Sequence, residues 1–342
     1  MTTRHHTRRT VLVTGARIGL GATIGALGAG QAGIAQGASA TGVTWTKLSP
    51  ATSPGPRATY ALSHAGSSSA NRVLVLFGGN NNNARLNDTW TWNGSIWTQQ
   101  FPADSPRARS EMSAASFGTH GSLVLFGGYA GGNRYLNDTW IWDGNNWSRR
   151  FPPAYPSARA GAAIIHDRAH GVVVLFGGVN DKGDRLNDTW TWDGTTWFRR
   201  HSATVPPGRS GAALAYDTVR QQVVLFGGRS NPAGDVLNDT WTWDGTTWTP
   251  QFRNAAPPGR YAAAFGFQES RGFAVLFGGR TANSVLGDTW TWDGTNWSRQ
   301  TPARAPSARS GMRLKWYGET SSLLLFGGYD GTSYLNDTWV VS

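Results

Sequence analysis

Residues 222–228 read Gln-Val-Val-Leu-Phe-Gly-Gly, a short apolar run that ends in two glycines. The Leu-Phe-Gly-Gly part occurs six times, at steps of 49, 50, 50, 51 and 49 residues. The glycine pairs are Gly78-Gly79, Gly127-Gly128, Gly177-Gly178, Gly227-Gly228, Gly278-Gly279 and Gly327-Gly328. A repeat of roughly 50 residues is typical of β-propellers, in which each copy forms one blade. The period therefore predicts six blades.

The fourth copy shows the strand pattern within a blade. Residues 209–216 are rich in small side chains, as expected of a crowded innermost strand. Residues 222–226 are almost entirely apolar, as expected of a strand buried on both faces. Residues 237–243 alternate between apolar and polar, and 247–252 follow as an outermost strand. The Asp244-Gly245 pair between them predicts a type I′ hairpin. Each blade is expected to hold four antiparallel strands.

The two ends of the repeat region predict how the ring closes. The sixth copy runs out at residues 335–342, after its third strand. Residues 42–48, Gly-Val-Thr-Trp-Thr-Lys-Leu, match the strand that this copy lacks. An N-terminal strand that completes the C-terminal blade would remove the open sheet edge of the ring. The fold class is thus all-β, a six-bladed propeller over residues 41–342.

The first 40 residues have the composition of an export signal. Arg8-Arg9 precede an apolar stretch, residues 18–34 are uncharged and rich in Gly and Ala, and Ala38-Ser39-Ala40 resembles a cleavage site. This predicts a twin-arginine signal peptide over 1–40 and a secreted, periplasmic or cell-surface bacterial protein. An uncleaved anchor is the alternative, because the run approaches the length of a membrane span.

Composition excludes several functions. Lys and Arg total 31 against 20 acids, giving +11, but the excess is scattered along the repeats, so no nucleic-acid partner is expected. The chain has no cysteine, which removes disulfides and thiolate metal sites. There is no cofactor motif and no metal-ligand spacing, so neither a cofactor nor a metal is expected. We expect a monomer with no membrane contact once the signal is cleaved.

Three motifs carry a family resemblance. Leu-Phe-Gly-Gly, Leu-Asn-Asp-Thr-Trp and Trp-Asp-Gly-x-x-Trp resemble the bacterial Kelch repeat, and the resemblance covers residues 41–342. Galactose oxidase shares the Kelch architecture, but its copper-radical site needs a cysteine linked to a tyrosine, so the resemblance does not extend to that chemistry. Exported sialic-acid mutarotases are similar six-bladed propellers with an acidic residue and arginines in the channel, which implies Glu111 with Arg109 and Arg57 as the matching set.

A second periodic motif, Pro-x-x-Arg, precedes every innermost strand. Its arginines are Arg57, Arg109, Arg159, Arg209, Arg260 and Arg309. One interpretation is a funnel of guanidinium groups at the mouth of the central channel, which would attract an anion. The other is that each arginine binds carbonyls or an aspartate of the adjacent blade, since strict periodicity suggests a scaffold. The aspartates of the Asn-Asp-Thr motif are expected to accept backbone N–H bonds.

Departures from the repeat are the remaining site candidates. Glu111 occupies a position that Gly161, Gly211 and Gly311 hold in other copies, and a carboxylate there could act as a general acid or base. The loops between the second and third strands vary most and belong to the same face, where binding sites usually lie. Their candidate ligand-binding residues are Tyr129, Arg134, Tyr135, Arg185, Arg229, Arg280, Tyr329 and Tyr334.

Two functions compete on this evidence. The first is a binding module that recognises a carbohydrate or an exported or surface protein on the loop face, since no nucleophile–base pair is evident. The second is a carbohydrate-active enzyme, such as a sugar mutarotase or epimerase, that uses Glu111 and nearby arginines.

Overall fold

A computed structural model of the chain describes residues 42–65, 73–118, 121–230, 235–252, 255–317 and 321–342. These ranges contain 25 β-strands and no helix. In the described part of the chain, therefore, no helix is long and apolar enough to cross a membrane. The predicted signal peptide, residues 1–40, lies outside the described residues.

The strands follow one another without interruption by other elements. They are β1 (Trp45–Leu48), β2 (Ala61–Ala65), β3 (Val73–Asn80), β4 (Arg85–Trp92), β5 (Trp97–Gln100), β6 (Ser113–Phe117), β7 (Ser122–Tyr129), β8 (Tyr135–Trp142), β9 (Trp147–Arg150), β10 (Ala163–Asp167), β11 (Val172–Phe176), β12 (Thr189–Trp192), β13 (Trp197–Arg200), β14 (Arg209–Ser210), β15 (Ala213–Asp217), β16 (Gln222–Ser230), β17 (Val236–Trp243), β18 (Trp248–Gln251), β19 (Ala264–Gln268), β20 (Phe273–Phe277), β21 (Thr289–Trp292), β22 (Trp297–Gln300), β23 (Leu314–Tyr317), β24 (Ser322–Tyr329) and β25 (Tyr334–Val341).

The strands form six antiparallel sheets arranged in a ring, which are the blades of the propeller. Blades 1 to 3 are β2-β3-β4-β5, β6-β7-β8-β9 and β10-β11-β12-β13. In blade 4 the innermost strand is split into β14 and β15, and β16, β17 and β18 follow outward. Blade 5 is β19-β20-β21-β22. Blade 6 is β23-β24-β25-β1. The prediction of six four-stranded blades is confirmed.

Blade 6 is completed by the N-terminal strand, as predicted. Strand β1 pairs antiparallel with β25, and Trp45 lies opposite Val341. The backbone N–H of Thr44 donates to the carbonyl of Ser342 at 2.9 Å, and the reverse bond is 3.1 Å. The two ends of the propeller therefore meet in one sheet.

The tryptophan that begins each outermost strand joins its blade to the preceding one. Its buried indole N–H donates to the hydroxyl of the Asn-Asp-Thr threonine there, at 2.9–3.1 Å. The pairs are Trp45–Thr289, Trp97–Thr338, Trp147–Thr89, Trp197–Thr139, Trp248–Thr189 and Trp297–Thr240. Because Trp45 belongs to β1, the set of six bonds is complete only when the ring is closed.

The double glycines lie where two blades approach most closely. In blade 3 the N–H of Gly178 donates to the carbonyl of Arg209 in blade 4 at 2.8 Å. A Cβ on Gly177 would lie 2.6 Å from the same carbonyl oxygen, and the φ of Gly177 is 68°. Only glycine tolerates both the contact and the left-handed backbone. This explains why the pair recurs in every copy.

The outer hairpins differ from the prediction. Trp243 pairs with Trp248, which leaves a loop of four residues, and within that loop only Gly245 has a positive φ. A type I′ turn needs positive φ at both of its central residues. Instead, the Asp244 carboxylate accepts the N–H groups of Thr246 and Thr247 at 2.8 and 2.7 Å. The Asp-Gly pair therefore marks an aspartate-capped turn, and the type I′ prediction was wrong.

Candidate functional site

A closed ring of backbone hydrogen bonds surrounds the propeller axis where the innermost strands begin. Each blade contributes one residue, whose N–H donates to the carbonyl of its counterpart in the preceding blade at 2.6–2.9 Å. The members are Thr59, Glu111, Gly161, Gly211, Ala262 and Gly311. All six have left-handed φ angles of 52–74°. This axial ring fixes the inner strands relative to one another.

Three members of the axial ring are not glycine. Thr59, Glu111 and Ala262 adopt φ angles of 53°, 55° and 52°. A residue with a side chain in this left-handed backbone conformation costs on the order of 1 kcal/mol or more. Such strain persists only where the surrounding structure enforces it. Glu111 thus occupies a position that glycine would fill with less strain. Strained residues of this kind concentrate at functional sites.

Next to the axial ring lies a cavity of about 510 Å³, here called the mouth cavity. Six of the residues singled out from the sequence line it, and they are Glu111, Arg185, Arg229, Arg280, Tyr329 and Tyr334. They come from blades 2, 3, 4, 5 and 6, and the structure brings them together around the axis. Its volume falls in the range of roughly 300–1,000 Å³ that small-molecule sites occupy.

Three other loop candidates lie away from this cavity. Tyr129 packs against Tyr135 with ring centroids 5.1 Å apart, and the Arg85 guanidinium lies 4.4 Å from the Tyr129 ring. Arg134 is exposed in the turn between β7 and β8. None of the three candidates Tyr129, Arg134 and Tyr135 is among the residues that line the mouth cavity.

The six Pro-x-x-Arg arginines are placed inside the blades. Their exposed fractions are 0–2%, and none is among the residues that line the mouth cavity. Each guanidinium binds an aspartate of its own blade, with Nη1–Oδ1 distances of 2.5–2.6 Å. The pairs are Arg57–Asp88, Arg109–Asp138, Arg159–Asp188, Arg209–Asp239, Arg260–Asp288 and Arg309–Asp337. The second interpretation placed the partner aspartate in the adjacent blade, but the structure places it in the same blade as the arginine.

Blade 3 shows how completely these groups are satisfied. Arg159 donates two bonds to Asp188, at 2.6 and 2.8 Å, and one to the carbonyl of Gly177 at 3.0 Å. Asp188 also accepts the indole N–H of Trp190 at 2.7 Å. Burial alone would raise the pKa of Asp188. The hydrogen bonds and the charge of Arg159 outweigh the effect of burial, so the pKa of Asp188 is lowered. The motif aspartates thus accept chiefly from side chains, contrary to the expected backbone donors.

The aromatic side chains of the mouth cavity hold its polar groups in place. The guanidinium groups of Arg229 and Arg280 lie 5.8 and 5.7 Å from the ring centroid of Tyr261. The Asn80 amide donates to the Tyr334 hydroxyl at 2.7 Å. These two arginines make no ion pair with any described acid. Their charge therefore remains available to a ligand.

Glu111 is the acid that lines the mouth cavity. Its carboxylate accepts no hydrogen bond from the described residues. Burial raises the pKa of Glu111, and the charges of Arg313 and Arg85 act in the opposite direction. It is a cavity-facing carboxyl group whose proton affinity is increased.

Sequence reasoning missed Asn80, Tyr261 and Arg313 as lining residues. Arg313 was detectable, because the equivalent positions of the other inner strands hold small residues. These are Ala61, Ser113, Ala163, Ala213 and Ala264. Two residues further along, Lys315 breaks the pattern again. Tyr261 was detectable in the same way, because the equivalent positions of the other copies hold Ala58, Ser110, Ala160, Ser210 and Ser310. Asn80 gave no such signal, since its position varies from copy to copy.

Within the described ranges, no group of three or more His, Asp or Glu side chains could hold a metal ion. Comparison with protein-family models found no match. A search of curated proteins found no significant match either. The fold and the geometry of the site therefore carry the functional argument.

Proposed function

We propose that this protein is a binding module that takes an acidic carbohydrate into the mouth cavity. The observation that carries the proposal is the meeting, in one cavity of about 510 Å³, of tyrosine rings with Arg229 and Arg280, which make no ion pair with a described acid. Aromatic faces pack on the apolar faces of sugars, and guanidinium groups bind carboxylates and sulfates.

The charge balance of the lining supports an acidic ligand. Arg185, Arg229, Arg280 and Arg313 line the mouth cavity, against the single acid Glu111. A concave site with an excess of one charge concentrates ligands of the opposite charge. Neutral sugars would use the tyrosines alone and should bind more weakly.

Calorimetric titration with glucuronate-containing and neutral oligosaccharides tests this proposal. We expect binding of the acidic ligands, and a loss of affinity of at least tenfold in a variant carrying both Arg229→Ala and Arg280→Ala. Arg134→Ala is the matched control, because Arg134 is an exposed loop arginine away from the cavity. If no acidic saccharide binds, or if Arg134→Ala has the same effect as the double variant, the proposal is wrong. A protein bound by the outer loops would give the first of these results.

An enzymatic role for the same cavity rests on Glu111. A carboxyl group with a raised pKa, facing a cavity, has the properties of a general acid or base for a sugar mutarotase or epimerase. The companions implied by the family resemblance, Arg57 and Arg109, are buried in ion pairs, so Arg313 takes their place in this version. Unchanged anomerisation in Glu111→Gln would dismiss it.

The family and the location of the protein are part of the proposal. The Leu-Phe-Gly-Gly and Leu-Asn-Asp-Thr-Trp motifs, set in six four-stranded blades, support membership of the bacterial Kelch repeats. The twin arginine at Arg8-Arg9 and the small residues at 38–40 support export to the cell surface or beyond. Sequencing the N-terminus of the protein recovered from outside the cytoplasm would test cleavage after residue 40.

A further inference from the structure

The channel beyond the mouth cavity is lined mostly by small residues. A space of about 50 Å³ is bounded by the inner strands of the blades, with alanine and leucine predominating. It shares Arg313 with the mouth cavity, so the two spaces adjoin. We call it the central space. One water molecule needs roughly 10–15 Å³ of such volume, so the central space is several times larger than one water.

Two cations project into the central space from blade 6. Arg313 lies just before the inner strand β23 and Lys315 lies within it, two residues further on. In extended chain this spacing places both side chains on the same face, about 7 Å apart. Both line the central space. The other blades place residues such as Ala163 and Ala215 at these positions. The pair is therefore a local feature of blade 6 and not part of the repeat.

Neither cation is in an ion pair within the described residues, although the Glu111 carboxylate acts on Arg313 electrostatically. Arg313 donates to the carbonyl of Met312 at 3.1 Å, and neither it nor Lys315 makes an ion pair with a described acid. At the far opening of the channel, Arg168 is paired with Glu269 at 2.7 Å, so that acid is already engaged. Burial and the charges of Arg313 and Arg168 lower the pKa of Lys315 to about 8.

Two like charges in a confined space of low polarity are unfavourable without a counter-charge. We propose that Arg313 and Lys315 form a site for a small oxyanion in the central space, separate from Arg229, Arg280 and the tyrosines of the mouth cavity. A sulfate, a phosphate or a carboxylate has suitable size and charge. It would accept hydrogen bonds from the guanidinium and ammonium groups at once. The proposal does not depend on saccharide binding.

Thermal unfolding in sodium sulfate tests the site. We expect 1–10 mM sulfate to raise the Tm of the wild-type protein by several degrees relative to chloride at equal ionic strength. Arg313→Met and Lys315→Met should each weaken the apparent sulfate affinity at least tenfold. Arg299→Met, which removes an exposed arginine from the outer strand β22, is the matched control and should leave the response intact.

A second signature separates anion binding from a structural role. Without sulfate, Lys315→Met should be at least as stable as the wild type, because it removes a repelling charge. If the Tm of the variant with both substitutions still rises with sulfate as the wild type does, the proposal is wrong. A crystal of the wild-type protein soaked in selenate provides a test that needs no variant. Anomalous density beside Arg313 and Lys315 would support the site, and an empty central space would overturn it.

The source of the oxyanion can be separated in the same system. The acidic group of a saccharide in the mouth cavity could reach Arg313, or a free inorganic ion could occupy the central space independently. Competition between glucuronate and sulfate would support the first source, and simultaneous binding the second. The double variant Arg229→Ala, Arg280→Ala should keep the sulfate response in either case, even if the proposed saccharide binding fails.

Discussion

Arg159 and Arg313 lie close to the start of inner strands, yet their surroundings are opposite. Arg159 binds Asp188, two carbonyl groups and a serine hydroxyl, and it is repeated in equivalent form in every blade. Arg313 occurs in one blade, faces open space and has no acid partner among the residues described. The repeated arginine is fully bonded within its own blade, whereas Arg313 donates one bond to a carbonyl and has no ion pair with a described acid. Four experiments test this contrast between the repeated arginines and Arg313.

The largest effect is expected from removing a repeated arginine. Arg159→Met leaves the Asp188 carboxylate without its charge partner in a largely buried position. The free energy of unfolding should fall by about 3–5 kcal/mol, as for other broken buried ion pairs. Chemical denaturation measures it, with Arg313→Met as the comparison. Equal losses in the two variants would contradict the distinction between scaffold and site.

The next effect concerns the pH dependence of stability. The pKa of Lys315 is lowered to about 8 in the folded protein, against 10.5 for the group in the open. Between these values the unfolded chain binds more protons, so stability rises with pH. The full gain is up to roughly 3 kcal/mol. His64, His166 and the Arg168–Glu269 pair also face this part of the channel, but they are common to the wild type and the variant.

Thermal unfolding between pH 7.5 and 10.5, in a buffer free of oxyanions, measures this rise. Lys315→Met should remove this rise, because the variant lacks the lysine whose pKa burial lowers into this range. Lys47→Met, on the outer strand β1, controls for lysine titration in general. A rise that persists in Lys315→Met would show that another group is responsible.

A smaller effect is expected at the contact between neighbouring blades. Thr189→Val removes the acceptor of the Trp248 indole N–H, which is buried and bonded at 2.9 Å. A buried donor without a partner costs about 1–3 kcal/mol. Denaturant titration should show this loss, whereas Thr249→Val, on the exposed side of strand β18, should change stability by less. Equal effects of the two substitutions would argue against the inter-blade bond.

The smallest effect is expected at the axial ring, where a substitution to glycine should increase stability. Glu111→Gly relieves the strain of a φ of 55° and should raise stability by up to about 1 kcal/mol. Ala262→Gly is the matched control, since it relieves the same strain without changing charge. Calorimetry would detect both gains. A loss of stability in Glu111→Gly alone would mean that the carboxylate itself stabilises the ring.

Periodic features of the sequence predicted the fold well because each blade must satisfy the same contacts. The glycine pairs, the motif tryptophans and the missing strand of blade 6 all correspond to bonds between neighbours. The Arg159–Asp188 pair could not be assigned in advance, because spacing along the chain does not show which of two blades supplies a partner. The outer turn was misjudged since Asp-Gly suits both a type I′ turn and an aspartate-capped loop.

The site was predicted only in part. Glu111 was found as a departure from a repeated glycine. The same test, applied two and four residues further along each repeat, would have found Arg313 and Lys315. Which loop residues reach the axis depends on the length and direction of each loop. Arg134 and Arg229 have the same chemistry, but only Arg229 lines the mouth cavity.

The bonds between Thr44 and Ser342 join residues that lie at opposite ends of the propeller sequence. Contacts between such distant segments form late in folding. Until they form, blade 6 presents an unpaired strand edge, and the matching segment of a second molecule could add to it as readily as its own. Refolding at high protein concentration should therefore trap strand-exchanged dimers, which dilution before refolding would avoid.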